Sequence, residues 1–297
     1  MYSPDPGPYK VIMKRGEFVD DARDGRVVPY KAYVPVDHGL DHIPVILWSH
    51  GFGGNRDGAA FISRYLASYG YLLFHMTHDG TDSSLWEGKP EHPWDILRKV
   101  KIQRPTTLAR FGDVPFVMDQ LPAWVSEQDE IKDVADLSHF GMSGHSFGAM
   151  TTQVMAGMMF PNRDNELVSL RDGRISCGVL YSPVPIAHLA GEHPAETLYG
   201  PVDIPLLHMT GTDDASPLED FGYEQRLVIH RHSSHPEKYI QVLENGDHMV
   251  YNGTRGKLAN NPLRDEHEND IKIAALAFWN AYMKDDGEAK AWLKKNF

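Results

Sequence analysis

Two features of the chain predict an α/β protein built on one mostly parallel sheet flanked by helices, and a third says where its chemistry lies. Short apolar segments with strand character recur through the 297 residues, and after the first three they alternate with helical stretches. The opening segments, 9–13, 26–34 and 43–48, follow one another without an intervening helix, which predicts an antiparallel start to the sheet. Turns rich in Gly, Asp and His close several strands, at the end where open parallel sheets collect ligands.

Taken in order, the strand 43–48 ends in Ser49-His50-Gly51-Phe52-Gly53-Gly54, and a helix is expected over 59–68. Strand 71–76 runs into the polar loop His78-Asp79-Gly80-Thr81-Asp82-Ser83-Ser84-Leu85-Trp86, followed by a long helical stretch over 96–124. Strand 137–142 leads into Gly144-His145-Ser146-Phe147-Gly148 and a helix over 146–158. Strand 175–181 carries the only cysteine, Cys177, and the segment 182–200 is too short for a large lid domain, so it should form a pocket rim. Strand 204–209 enters Gly211-Thr212-Asp213-Asp214, and strand 238–243 ends in Glu244-Asn245-Gly246-Asp247-His248-Met249. A last helix over 265–283 should turn Ile273, Leu276, Ala277 and Trp279 to the sheet. Residues 1–8 read as a loose arm and 9–297 as a single domain.

The turn around Ser146 places a serine in G-x-S-x-G between a strand and a helix, the pattern of a nucleophile elbow. A serine hydroxyl is a poor nucleophile at neutral pH, so a base, an acid to orient it and oxyanion donors must accompany it. His248 is the candidate base. The turn after 204–209 offers Asp213 and Asp214 as acids, and the residues alone leave the two unseparated. The backbone N–H groups of Phe52 and Phe147 are the candidate oxyanion donors, because Gly51, Gly53 and Gly54 let the upstream loop turn toward the serine. Each signal alone has a bland reading as an ordinary turn; the weight lies in their order, each at the end of an apolar strand.

The segments HGFGG, GHSFGA, GTDD and GDHMV resemble the α/β-hydrolases, in the serine branch called dienelactone-hydrolase-like, and are similar also to bacterial platelet-activating-factor acetylhydrolases and cutinase-type polyester hydrolases. The resemblance runs from the strand before His50 to the helix after His248. It implies the α/β-hydrolase fold, and it assigns the acid to Asp214, three residues after the glycine of the turn. It implies a serine carboxylic-ester hydrolase, with a polyester hydrolase or a phospholipase as alternatives and a non-catalytic binding protein on the same fold as the alternative of another class. Dienelactone hydrolases use a cysteine nucleophile, whereas the elbow here holds serine. The tryptophan many polyester hydrolases carry after the next strand is replaced by Tyr181-Ser182-Pro183.

Trp86, at the end of a polar loop, and Met249, beside His248, are the candidate substrate-binding residues; with Phe52 and Phe147 they predict esters with apolar acyl or alcohol groups, small or polymeric. No metal or organic cofactor is expected. The clusters His230, His232, His235 and His75, His78, Asp79, Asp82 lack a zinc spacing and read as structural, and the methionines 150, 155, 158 and 159 as core. A net charge of −12 leaves no basic stripe for nucleic acid. The apolar runs fall short of a membrane span, and Met1 to Pro8 shows neither a basic nor an apolar leader region. The compartment is left open between cytoplasm and, if a leader once preceded Met1, export; so is the oligomeric state.

Overall fold

The computed structural model describes residues 2–191, 193–253 and 261–297. In chain order the first half contains β1 Lys10–Asp20, β2 Arg26–Val36, β3 Ile43–Ser49, α1 Ala60–Ser68, β4 Leu72–Met76, α2 Pro93–Leu97, α3 Arg104–Ser126, β5 Ala135–His145 and α4 Phe147–Met155. A small pair, β6 Phe160–Pro161 and β7 Leu167–Val168, precedes β8 Ile175–Tyr181, α5 Ala187–Ala190, α6 Ala195–Tyr199 and β9 Leu206–Asp213. Then come α7 Tyr223–Arg226, α8 Val228–His232, β10 Lys238–Asp247, α9 Arg264–Met283 and α10 Gly287–Asn296.

Eight strands form one open sheet in the order β1-β2-β4-β3-β5-β8-β9-β10. β1 pairs antiparallel with β2 and β2 with β4; every later pairing is parallel. Alternate side chains enter two apolar layers, as the two-residue period of a strand requires. From β3, Val45 and Leu47 pack with Val114 and Val117 of α3 and Ala149 of α4. Ile46 and Trp48 go to the opposite face, with Leu66 of α1 and Ala274 and Phe278 of α9. Full burial on both faces gives the near-continuous apolar strands of a parallel sheet.

Three departures from the sequence reading have local causes. The stretch expected as one helix over 96–124 is two, α2 and α3, because Pro105 lacks an N–H and its ring blocks the carbonyl four residues back; the chain restarts with Pro105 in the first turn of α3. β1 extends to Asp20 although 14–20 is largely charged: it is an edge strand, held by its ladder to β2 rather than by burial. Residues 2–8, expected as a loose arm, lie along α1 and α10. Tyr65 donates to Ser3 O (2.6 Å), Gly7 N–H to Ser68 Oγ (2.7 Å), and Tyr2 meets Trp292 edge-on.

The connection from β3 runs to β4 on one side, and the chain later returns to β5 on the other. A crevice therefore opens above the carboxyl ends of β3 and β5. Among the described residues no helix is long and apolar enough to cross a membrane.

Candidate active site

Ser146 stands between the last residue of β5 and the first of α4, with φ 55° and ψ −115°. A non-glycine backbone in that region costs on the order of 1–3 kcal/mol and is held by its surroundings. Here the Ser146 N–H donates to Tyr181 O on β8 (2.9 Å), and its own carbonyl accepts from Met150 N–H in α4 (3.0 Å). The close approach of elbow and β3 explains the flanking glycines: a Cβ on Gly148 would overlap the Ser49 carbonyl, and one on Gly144 the Gly148 carbonyl.

β9 and β10 are parallel neighbours, so the turns that close them lie side by side. His248 Nδ1 donates to Asp214 Oδ1 at 2.7 Å, and Asp214 Oδ2 accepts from Thr210 Oγ1 at 2.9 Å. Asp213 ends β9 as an exposed residue opposite Asp247, so only Asp214 meets the imidazole. Met249 N–H donates to Asp247 Oδ1 and Arg264 Nη1 to Met249 O, both at 2.7 Å, which fixes the turn carrying His248. His145 Nε2 donates to His248 O (2.8 Å) and braces that turn against the elbow. Burial pushes His145 down to about 3, so it is neutral and keeps this tautomer.

Arg226, from α7, is buried and crosses the acid turn. Its Nε donates to Asp214 O (2.9 Å), its Nη1 to Pro183 O (3.0 Å) and Ser182 O (3.2 Å), and its Nη2 lies 3.1 Å from Asp214 Oδ1. Nη2 is also 3.2 Å from His248 Nδ1, but that nitrogen already gives its proton to Asp214, so the contact with the carboxylate is the bond that counts. Burial alone would raise Asp214; the charge of Arg226 and the hydrogen bond from His248 outweigh it and hold the carboxyl below its ordinary range. Burial lowers His248, and Asp214 only partly restores it, so the imidazole is neutral and able to accept a proton at Nε2.

Two cavities, of about 280 and about 270 Å³, meet at Ser146. Ser146 and His248 both line the second, although no hydrogen bond joins their side chains among the described residues. Such bonds commonly close only when substrate is bound. Phe52 and Phe147 line the first cavity. Neither of their N–H groups has a hydrogen-bond partner among the described residues, and Phe147 N–H is one of the orphan donors of the first turn of α4. Trp86 and Met249 line the second cavity, and Trp86 Nε1 donates to Gly53 O (2.7 Å), so the tryptophan both forms the wall and ties down the upstream loop. A larger cavity, about 960 Å³, lies elsewhere, between the β1–β2 turn and α3. It is lined by charges of both signs, and none of Ser146, Asp214 or His248 reaches it.

Under the upstream loop lies a sealed polar cluster. Arg110 Nη2 donates to Ser49 Oγ (2.8 Å) and to His50 O, its Nη1 to Thr81 Oγ1 (2.8 Å) and its Nε to Thr151 Oγ1 (2.9 Å). Its guanidinium sits 4.4 Å from the centre of the Phe147 ring. His78 Nδ1 donates to Asp113 Oδ2 (2.9 Å) and its Nε2 accepts from Ser49 Oγ (2.9 Å), while Asp113 is also paired with Arg26 (2.6 Å). Thus His78, from one histidine cluster noted in the sequence, anchors β3, and His75 bonds Ser63 Oγ (2.7 Å). His230, from the other, packs edge-on against His208. Among the described residues no group of three His, Cys, Asp or Glu is placed to hold a metal ion. Sequence reasoning missed Arg226, Thr210, His145 and this cluster. Only His145 had a local signal, its place beside the serine.

The chain matches no protein-family model, and no curated protein matches it.

Proposed function

We propose that the protein is a serine hydrolase of carboxylic esters with the α/β-hydrolase fold, of the dienelactone-hydrolase-like branch. The observation that carries this reading is the 2.7 Å bond to buried Asp214 from His248, which lines the cavity that also exposes Ser146 in its strained turn. Ser146 Oγ attacks the ester carbonyl and gives its proton to His248 Nε2. Asp214 fixes the tautomer and stabilises the imidazolium. The free N–H groups of Phe52 and Phe147 supply the donors for the oxyanion, each worth about 3 to 4 kcal/mol in the barrier.

The tetrahedral intermediate collapses as His248 returns the proton to the alkoxide leaving group, and the acyl group stays on Ser146. Water then enters, loses a proton to His248 and adds to the acyl carbonyl; on collapse the proton passes to Ser146 Oγ and the carboxylic acid departs. The test is labelling by a fluorophosphonate together with turnover of p-nitrophenyl esters. Labelling of Ser146 with ester turnover is expected; folded protein that is neither labelled nor active on any ester sinks the proposal.

A further inference from the structure

The two cavities that meet at Ser146 share Phe52, Leu97, Pro217 and Leu218, and they divide the residues of the proposed chemistry: His248 lines one, Phe147 the other. We infer that the cavity holding His248, Trp86 and Trp94 takes the alcohol part of the ester, and that the cavity holding Met150, Val184 and Phe221 takes the acyl part.

The inference rests on the serine-hydrolase reading and follows from the route of one proton. When the first intermediate collapses, the departing oxygen must sit within about 2.6–3.2 Å of the histidine that protonates it. The alcohol is therefore confined to the branch His248 lines. The carbonyl oxygen is turned to the Phe52 and Phe147 amides, so the acyl chain has the other branch, which Phe147 and Met150 enter from the first turn of α4. Deacylation imposes the same arrangement: water must be activated by His248, and it finds that branch emptied once the alcohol has left.

The chemistry of the acyl branch selects its occupant. The charged residues in its wall are spent within the protein: Arg226 on carbonyls and Asp214, His188 on Glu219 (2.8 Å), and Arg98 on Pro217 O (3.2 Å) and Asp95. Arg226, the buried one, has every nitrogen engaged, so an acyl chain beside it is neutral. At roughly 30 Å³ for each water-sized unit, its volume of about 280 Å³ holds about nine non-hydrogen atoms, a chain of up to about eight carbons. In the other branch the indoles of Trp86 and Trp94 favour an alcohol bearing a flat apolar group.

The test measures two ratios of kcat/KM in wild type, Met150→Trp and Met249→Trp: p-nitrophenyl hexanoate over acetate, and 2-naphthyl acetate over methyl acetate. Met150→Trp is expected to lower the first ratio about 30-fold, the scale of lost methylene contacts, and to move the second less than about 3-fold; Met249→Trp should do the reverse. Because Met150 is buried, a second measurement uses wild type alone: the structure of Ser146 labelled by a hexylphosphonate should show the alkyl chain against Phe221. A chain lying against Trp86, the opposite pairing of variants and ratios, or equal effects of both variants on both ratios overturns the assignment. In those cases Ser146 is still labelled and esters are still cleaved. Failure of the hydrolase reading itself is the absence of both.

Discussion

Two Ser-His-Asp arrangements lie close together in the interior, Ser49-His78-Asp113 and Ser146-His248-Asp214, and among the described residues only the second lines a cavity. In the sealed cluster, Ser49, His78 and Asp113 are joined by two bonds of 2.9 Å and all three are buried. In the other, His248 meets Asp214 at 2.7 Å, but its second ring nitrogen and Ser146 border open space. By hydrogen bonding alone the sealed arrangement is the more complete. What it lacks, among the described residues, is a cavity beside it and a free oxygen, since Arg110 also donates to Ser49 Oγ. A nucleophile is thus defined as much by what its neighbours leave undone as by the bonds they make.

The largest expected contrast breaks this comparison directly. Ser146→Ala should lower ester turnover by ~10⁴-fold or more, with the fold unchanged by circular dichroism. Ser49→Ala should keep fluorophosphonate labelling of Ser146, lower turnover less than about 100-fold through the loop it supports, and cost about 1–3 kcal/mol of stability in urea unfolding. Near-normal turnover in the first variant, or no labelling in a folded second one, contradicts the distinction.

The acids should divide the same way. Asp214→Asn is expected to reduce kcat by ~10⁴-fold because the histidine tautomer is no longer fixed, whereas Asp213→Asn, in the exposed position, should change it by less than about tenfold. Asp113→Asn leaves Arg26 and His78 without their buried partner and should cost about 3–5 kcal/mol of stability. Its activity, measured well below its lowered melting temperature, should remain within about 100-fold of wild type. An Asp213→Asn enzyme crippled like Asp214→Asn would move the acid by one residue.

Arg226→Met sharpens the comparison, since Arg226 is the arginine that faces Asp214. His248 is surrounded by Asp214, Arg226, His145 and Asp247, and among these Arg226 disfavours its protonation. Removing that charge should raise the histidine, so the acid limb of the kcat/KM profile moves to higher pH while kcat falls about 10- to 100-fold as the acid turn loosens. Arg226→Lys should recover part of the limb's position. An unmoved limb with lowered kcat would mean that the arginine only stitches loops.

The smallest effect per group is on stability. Burial holds His75, His145 and His208 down to about 3 and His78 to about 4, far below the value of about 6.5 each regains on unfolding. Between those limits the unfolded chain binds protons that the folded chain refuses, so stability declines as pH falls from about 6.5 toward 4, by about 1.4 kcal/mol per pH unit for each group. Thermal melting followed from neutral pH to about 4.5 should show a steep fall, less steep by one proton in His75→Gln. A flat melting temperature over that window would contradict the burial of these rings.

The sequence made the strand ends legible because each is marked by a break from apolar residues to Gly, Asp and His, and that is where Ser146, Asp214, His248 and Phe52 stand. The bonds behind them were not legible. Arg226 reaches carbonyls 12 and 44 positions away, and Asp113 meets His78 across 35, distances over which spacing carries no periodic signal. α10 escaped notice because its signature is a single capping residue, Asp286, whose carboxylate accepts from Glu288 and Ala289 N–H. β1 was read short because an edge strand need not look apolar.

The backbone at Ser146 sets chemistry and folding at odds. At φ 55° and ψ −115° the residue that fits best is glycine, while the proposed reaction needs a hydroxyl. Replacing the serine by glycine should therefore relax the native chain while removing the proposed nucleophile. A screen that rewards heat resistance or yield alone would favour that variant at this one position, so directed improvement of the proposed activity must carry an activity readout in every round.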